Sequence, residues 1–99
     1  MFEDIRDKIR NLVRSLDYVM TIHGEEEMSN DGLSIFDVEH ALLNGEVVER
    51  QREEGTRESK YLVAGTTADN DEIIVVTKIS NTGKLIIITV YREAESYGN

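Results

Sequence analysis

The sequence predicts an α+β domain in which N-terminal helices pack on a four-stranded antiparallel sheet. Two observations carry this. Up to residue 44 the apolar residues recur at three- and four-residue spacing with cap signals between the segments, whereas from Glu46 onward the period changes to two. Short turns, Asp69-Asn70-Asp71 and Asn81-Thr82-Gly83, separate the later apolar runs, and connections of that length join antiparallel neighbours. Helices gathered ahead of a meander give a helical layer on a sheet.

A first helix over residues 2–16 places Phe2, Ile5, Ile9, Leu12, Val13 and Leu16 on one face, with Asp4 and Lys8 at i,i+4. Acids dominate its first turns, and Arg10 and Arg14 its last, in accord with the helix dipole. Thr21 is the expected N-cap of a second helix, residues 22–30, which Gly32 ends. The third, residues 35–44, has Ser34 as N-cap, Asp37 as its acidic N3 partner, and Leu33 and Val38 at the two positions of a hydrophobic staple, with Gly45 as the stop. Strands follow at residues 46–52, 59–65, 72–79 and 84–91. The last two are apolar on both faces, so something must cover the second face, and the first helix or a second subunit are the candidates. Residues 51–60 read as a mobile charged loop.

The 99 residues make one small domain: an N-terminal helix in 1–17, a core in 18–92 and a tail in 93–99. With no cysteine there is neither a disulfide nor a thiolate metal site, so aliphatic burial must carry stability. The charged N-terminus lacks an apolar secretory stretch, and the longest apolar run, residues 85–90, is far too short to span a bilayer. The expectation is therefore a cytoplasmic protein with no membrane association. A net charge of −9 argues against nonspecific binding to nucleic acid or anionic membrane. The acidity is local: residues 21–44 carry six acids, Glu25, Glu26, Glu27, Asp31, Asp37 and Glu39, and no Lys or Arg.

Several ordered patterns resemble a known family. Y-x-x-T-x-H over residues 18–23, Met28, G-L-S-x-x-D-V over 32–38, N-G-E over 44–46, K-Y-L-V-A-G over 60–65 and I-T-V-Y over 88–91 are similar to the bacterial domain-of-unknown-function family forty-two fifty-eight. The resemblance covers residues 18–92, with the first helix an N-terminal addition. That family looks related in fold to the RelE and BrnT toxins, small ribonucleases of toxin–antitoxin pairs, and the ending Y-R-E-A-E-S-Y over 91–97 is similar to the tail of BrnT-like chains. It implies an all-antiparallel curved sheet under helices, a site on or beside the exposed sheet face and, by analogy, a metal-independent endoribonuclease. Where the family often has Arg before the Met of the His-containing helix, this chain has Glu27. Parallel pairing in the sheet would remove the toxin kinship, and with it the catalytic roles proposed for His23 and the arginines.

RNA cleavage through the 2′-hydroxyl needs a base, an acid and cations for the phosphate. The candidate catalytic residues are His23, whose imidazole exchanges a proton near neutral pH, Arg50, Tyr91 and Arg92. Glu27 would orient His23. Arg52, Lys60 and Lys78 are further phosphate contacts, and Tyr61 or Tyr97 would donate a proton or stack a base. Arg92 and Tyr97 rest on the resemblance alone. Each has a plainer reading: His23 as a helix residue bonded to its neighbours, Glu25 to Glu27 as dipole-favoured acids, Arg50 and Arg52 as a charged edge strand, and the tyrosines as sheet packing. His23, Glu27 and His40 have ligand chemistry without ligand spacing, so no metal and no cofactor is expected. The candidate partners are RNA, a protein partner or antitoxin, and a second copy of the chain. A non-catalytic interaction module using the acidic helices or the apolar sheet is the other reading.

Overall fold

A computed structural model of the chain describes residues 1–93. Three helices, α1 (Glu3–Arg14), α2 (Ile22–Asn30) and α3 (Ile35–Asn44), accompany five strands: β1 (Tyr18–Met20), β2 (Glu46–Arg52), β3 (Ser59–Thr66), β4 (Glu72–Ile79) and β5 (Leu85–Arg92). The α+β class is as expected, but the sheet is mixed and five-stranded, in the order β1-β5-β4-β3-β2. The expected strands form the antiparallel meander β2 to β5. The addition is β1, which runs parallel to β5 with Tyr18 opposite Leu85 and Met20 opposite Ile87. An all-antiparallel sheet is therefore not what this chain has, and the toxin kinship, with the catalytic roles it gave His23 and the arginines, falls with it. The cause is nonlocal, because Thr21 holds β1 against the last strand. Its N–H donates to the Ile87 carbonyl at 3.0 Å and its hydroxyl donates to the Ile88 carbonyl at 2.8 Å, while the same hydroxyl caps α2 by accepting from Gly24 N–H.

The helix ends follow their residues. At α2, Gly32 takes φ +69°, with Leu33 N–H donating to Met28 O and Gly32 N–H to Ser29 O, a Schellman closure. Ser34 and Asp37 form the full capping box of α3. Gly45 stops α3 in extended backbone, and the need for glycine there is proximity: a Cβ would lie 2.6 Å from both the Ala41 and the Ala64 carbonyl oxygens. Gly65 is tighter still, its Cβ position falling 2.2 Å from the Ala41 carbonyl oxygen. The two glycines let α3 lie directly on β3. The first helix is shorter than expected. It ends at Arg14, and Leu16 sits at φ +60° with 69% of its surface exposed instead of on the apolar face.

Alternation and register assign the faces. Val47, Val63, Ile73, Val75, Leu85, Ile87 and Val90 point to one side and form the core with Ile9 and Val13 of α1 and Val38, Ala41 and Leu42 of α3. That side carries the helices. The expectation that the first helix might cover the second face is thus corrected, since α1 packs with α3, β2 and β5 on the same side. Leu62, Ala64, Ile74, Val76, Ile86, Ile88 and Tyr91 form the opposite face, over which no helix of the described residues packs.

Candidate anion-binding site

The connection from β2 to β3 leaves cations on the helix side of the sheet through a bulge. Val47 pairs with Val63 but Glu49 pairs with Leu62, so Val48 is an extra residue, 55% exposed. Without it, strict alternation would put Arg50 opposite in sense to Val47. With it, Arg50 and Arg52 share the face of Val47, and Arg50 stands across from Tyr61.

Arg50 and Tyr61 line a cavity of about 300 Å³ beside α1. Ile5 and Ile79 supply its apolar side and both pack against the core, so the cavity backs onto the hydrophobic interior. Lys8 of α1, one helical turn beyond Ile5, adds a second cation, and Arg57 of the connecting loop a third. Ser59 and Asn81 contribute a hydroxyl and an amide, and Glu58 borders it. The connection is shorter than the expected 51–60 segment, since β2 runs to Arg52 and β3 starts at Ser59; within it Glu53 N–H donates to Glu58 O at 3.1 Å, and Glu58 N–H donates to the Thr56 hydroxyl at 3.1 Å.

The charges around this cavity are sorted by partner. Glu53 lies 3.8 Å from Lys60, Glu58 lies 3.7 Å from Lys78, and Glu49 accepts from the Gln51 amide at 2.8 Å. Lys8, Arg50, Arg52 and Arg57 make no hydrogen bond or ion pair among the described residues, and the expected Asp4–Lys8 pair is not formed. In a chain with 20 acids and 11 Lys and Arg residues, three cations without a partner among the described residues line one cavity, an arrangement whose chemistry suits an anion.

The residues singled out from the sequence lie in separate places. His23 stands on α2 at the β5 edge, its Nε2 3.9 Å from Glu27 and its side chain largely exposed. Arg50 is on the opposite edge strand, three strand spacings from β5, roughly 14 Å across the sheet. Arg92 is on the helix side at the far end of β5, where Nη2 donates to Asp31 O at 2.8 Å and Nη1 to Asp71 at 3.1 Å, tying together strand, helix end and turn. Tyr91 faces the other way, onto the open sheet face, and its hydroxyl is held above its usual range by burial and then by the charges of Glu49 and Glu93. Lys60 and Lys78 are also on the open face, engaged by their glutamates. His40 Nδ1 lies 2.7 Å from Thr66 O, beside Asn44, whose amide also bonds that carbonyl and whose oxygen accepts from Thr66 N–H. Among the described residues no three His, Asp or Glu side chains converge as a metal site. Tyr97 lies outside the described residues. Arg50 and Tyr61 are the candidates that meet.

Sequence reasoning missed Lys8 and Arg57 as partners of Arg50. The motif residues prove to be scaffold: Tyr18 bonds Glu39 from the core edge, Thr21 joins β1 to α2, Gly32 to Val38 turn between helices, and Asn44, Gly45 and Gly65 seat α3 on β3. No curated protein and no solved structure matches the chain. A family model, Domain of unknown function (DUF4258), matches residues 20–92, the span from the end of β1 to the end of β5, with α1 and its Lys8 lying ahead of it. The chain belongs to this family of uncharacterised domains.

Proposed function

We propose that the chain binds RNA, with a phosphate held by Arg50, Lys8 and Arg57 and a base against Tyr61. The observation that supports this most is the cavity itself: three cations left without acids in a molecule of net charge −9, beside a tyrosine ring. Aromatic stacking next to phosphate-directed cations is how single-stranded RNA is commonly held. The reading stands on that cavity and not on the toxin resemblance, whose all-antiparallel sheet this chain lacks. It is a reading of binding. The base, acid and cation of a cleavage site would be His23, Tyr91, Arg92 and Arg50, which stand on two edges and two faces of the sheet.

The test is fluorescence anisotropy of a labelled short single-stranded RNA, followed by a gel of the recovered RNA. Binding should weaken with added salt, as a phosphate contact requires, and should fall in Arg50→Ala and Arg57→Ala while the RNA stays intact. No binding at low salt, or binding indifferent to both variants, would overturn the proposal. Cleavage that disappears in His23→Ala would instead restore the endoribonuclease reading.

A second reading has its own observation, the apolar sheet face of Leu62, Val76, Ile86, Ile88 and Tyr91 with no described helix upon it. These side chains are half-buried, and a second chain laid over them would complete their burial. Binding of a protein through it should persist at high salt and be lost on Val76→Lys, which the RNA site would not register.

A further inference from the structure

We infer that the cavity is a terminal-phosphate site, taking the phosphomonoester at an RNA end and not a phosphodiester within the strand. The inference rests on the RNA-binding reading above and sharpens it. Charge is the first argument. Lys8, Arg50 and Arg57 line the cavity with no acid among the described residues engaging them, and the bordering carboxylate, Glu58, is turned to Lys78 at 3.7 Å. A phosphomonoester carries roughly −1.5 to −2 at neutral pH and three acceptor oxygens. An internal phosphodiester carries a single charge and has only two unbridged oxygens, which leaves one cation idle.

Confinement is the second argument. A strand passing through needs cations on both sides of the cavity, and most of those among the described residues are occupied. Arg6 and Arg10 of α1 are bound to Glu46, and Arg10 also donates to Gly45 O at 2.8 Å. Lys60 and Lys78 sit on the other sheet face, paired with Glu53 and with the cavity-bordering Glu58, and Arg92 is tied to Asp31 and Asp71 at the far end of the sheet. Arg52, two residues along β2 on the same face, extends the positive surface, and Lys84, after the turn that carries Asn81, makes no ion pair among the described residues. α2 and α3, which carry six acids and no Lys or Arg between residues 21 and 44, lie at the other end of β3 and along β5, and offer a continuing polyanion no basic track there. Size agrees, because about 300 Å³ is at the lower end of ligand pockets, room for one nucleotide end.

The test titrates wild-type protein with one short single-stranded RNA made with a 5′-phosphate, a 3′-phosphate or hydroxyls at both ends. One phosphorylated form should bind about tenfold tighter than the hydroxyl-ended strand, the worth of one added charge-assisted hydrogen bond. Arg50→Ala and Arg57→Ala should erase that preference with unchanged circular dichroism. Arg14→Gln, the same charge change about 9 Å further along α1, should leave it intact. Equal binding of all three strands, lost in the same variants, overturns the terminal-phosphate inference and leaves RNA binding standing. No binding of any strand overturns both. Competition with adenosine 5′- and 3′-monophosphates separates the sources of the group: displacement only at concentrations far above the oligonucleotide's supports an RNA end, and displacement at equal concentration overturns it in favour of a free nucleotide.

Discussion

Gly65→Ala should be among the most damaging single-methyl changes available in this protein. The added Cβ would stand 2.2 Å from the Ala41 carbonyl oxygen, 2.8 Å from its carbon and 3.0 Å from its Cα. All three are backbone atoms, so no rotamer relieves the clash, and Ala41→Gly would not rescue it. Restoring an ordinary contact of about 3.3 Å requires α3 to lift from β3 by about 1 Å, which loosens Val38, Ala41 and Leu42, each no more than 1% exposed. Overpacking costs about 1–3 kcal/mol when side chains can shift, and a rigid helix backbone belongs at or above the top of that range. Taking ~3 kcal/mol and a urea slope of about 1.5 kcal/mol/M, the unfolding midpoint should fall by about 2 M. Urea denaturation followed by far-UV circular dichroism reads this directly. A midpoint within about 0.3 M of wild type would refute the close approach of α3 to β3, because the slope then allows less than ~0.5 kcal/mol.

Leu16→Gly should act in the opposite sense, raising stability by about 0.5–1 kcal/mol in the same assay, because an exposed leucine holds a left-handed backbone that glycine adopts without strain. Arg92→Met should cost about 1–3 kcal/mol through loss of its bonds to Asp31 O and Asp71, yet leave RNA anisotropy unchanged; reduced RNA affinity at full stability would return Arg92 to the binding surface. Tyr18 is pushed up to about 12 by burial and then by its hydrogen bond to Glu39. With the folded value above the unfolded one, near 10, its contribution is complete below about pH 10 and is lost as pH rises toward 12. Alkaline titration of stability should show that decline in wild type, and Tyr18→Phe should flatten it; an unchanged slope in the variant would refute the assignment.

What was legible in the sequence was local. Ser34 and Asp37 announce the start of α3 three residues apart, and Gly83, at φ +86°, makes the last hairpin turn as its position suggested. Gly45 was legible as a stop but not for its reason, since the carbonyls it must approach belong partly to β3. Tyr18 to Met20 could not be read as a strand, because three residues between two helices show no period and their partner lies at the opposite end of the chain. The site was half legible. Alternation tied Arg50 to Arg52, but the bulge at Val48 decides which face they occupy, and only the folded arrangement brings Lys8 and Arg57 to them. Lys8 carried a competing local signal in Asp4, and tertiary placement overrode it.

The pairing of β1 with β5 also has a bearing on when this protein can acquire its structure during synthesis. Bringing Met20 to Ile87 closes a loop of about 65 residues, an entropy cost of roughly 4 kcal/mol before any reward from the contact. The strand that repays it is the last of these five in the chain, and it also delivers Leu85, Ile87 and Val90, all fully buried, to the interior. A nascent chain still lacking that strand holds a sheet edge and three helices without their centre, so the domain should fold as one event only once β5 has left the ribosome.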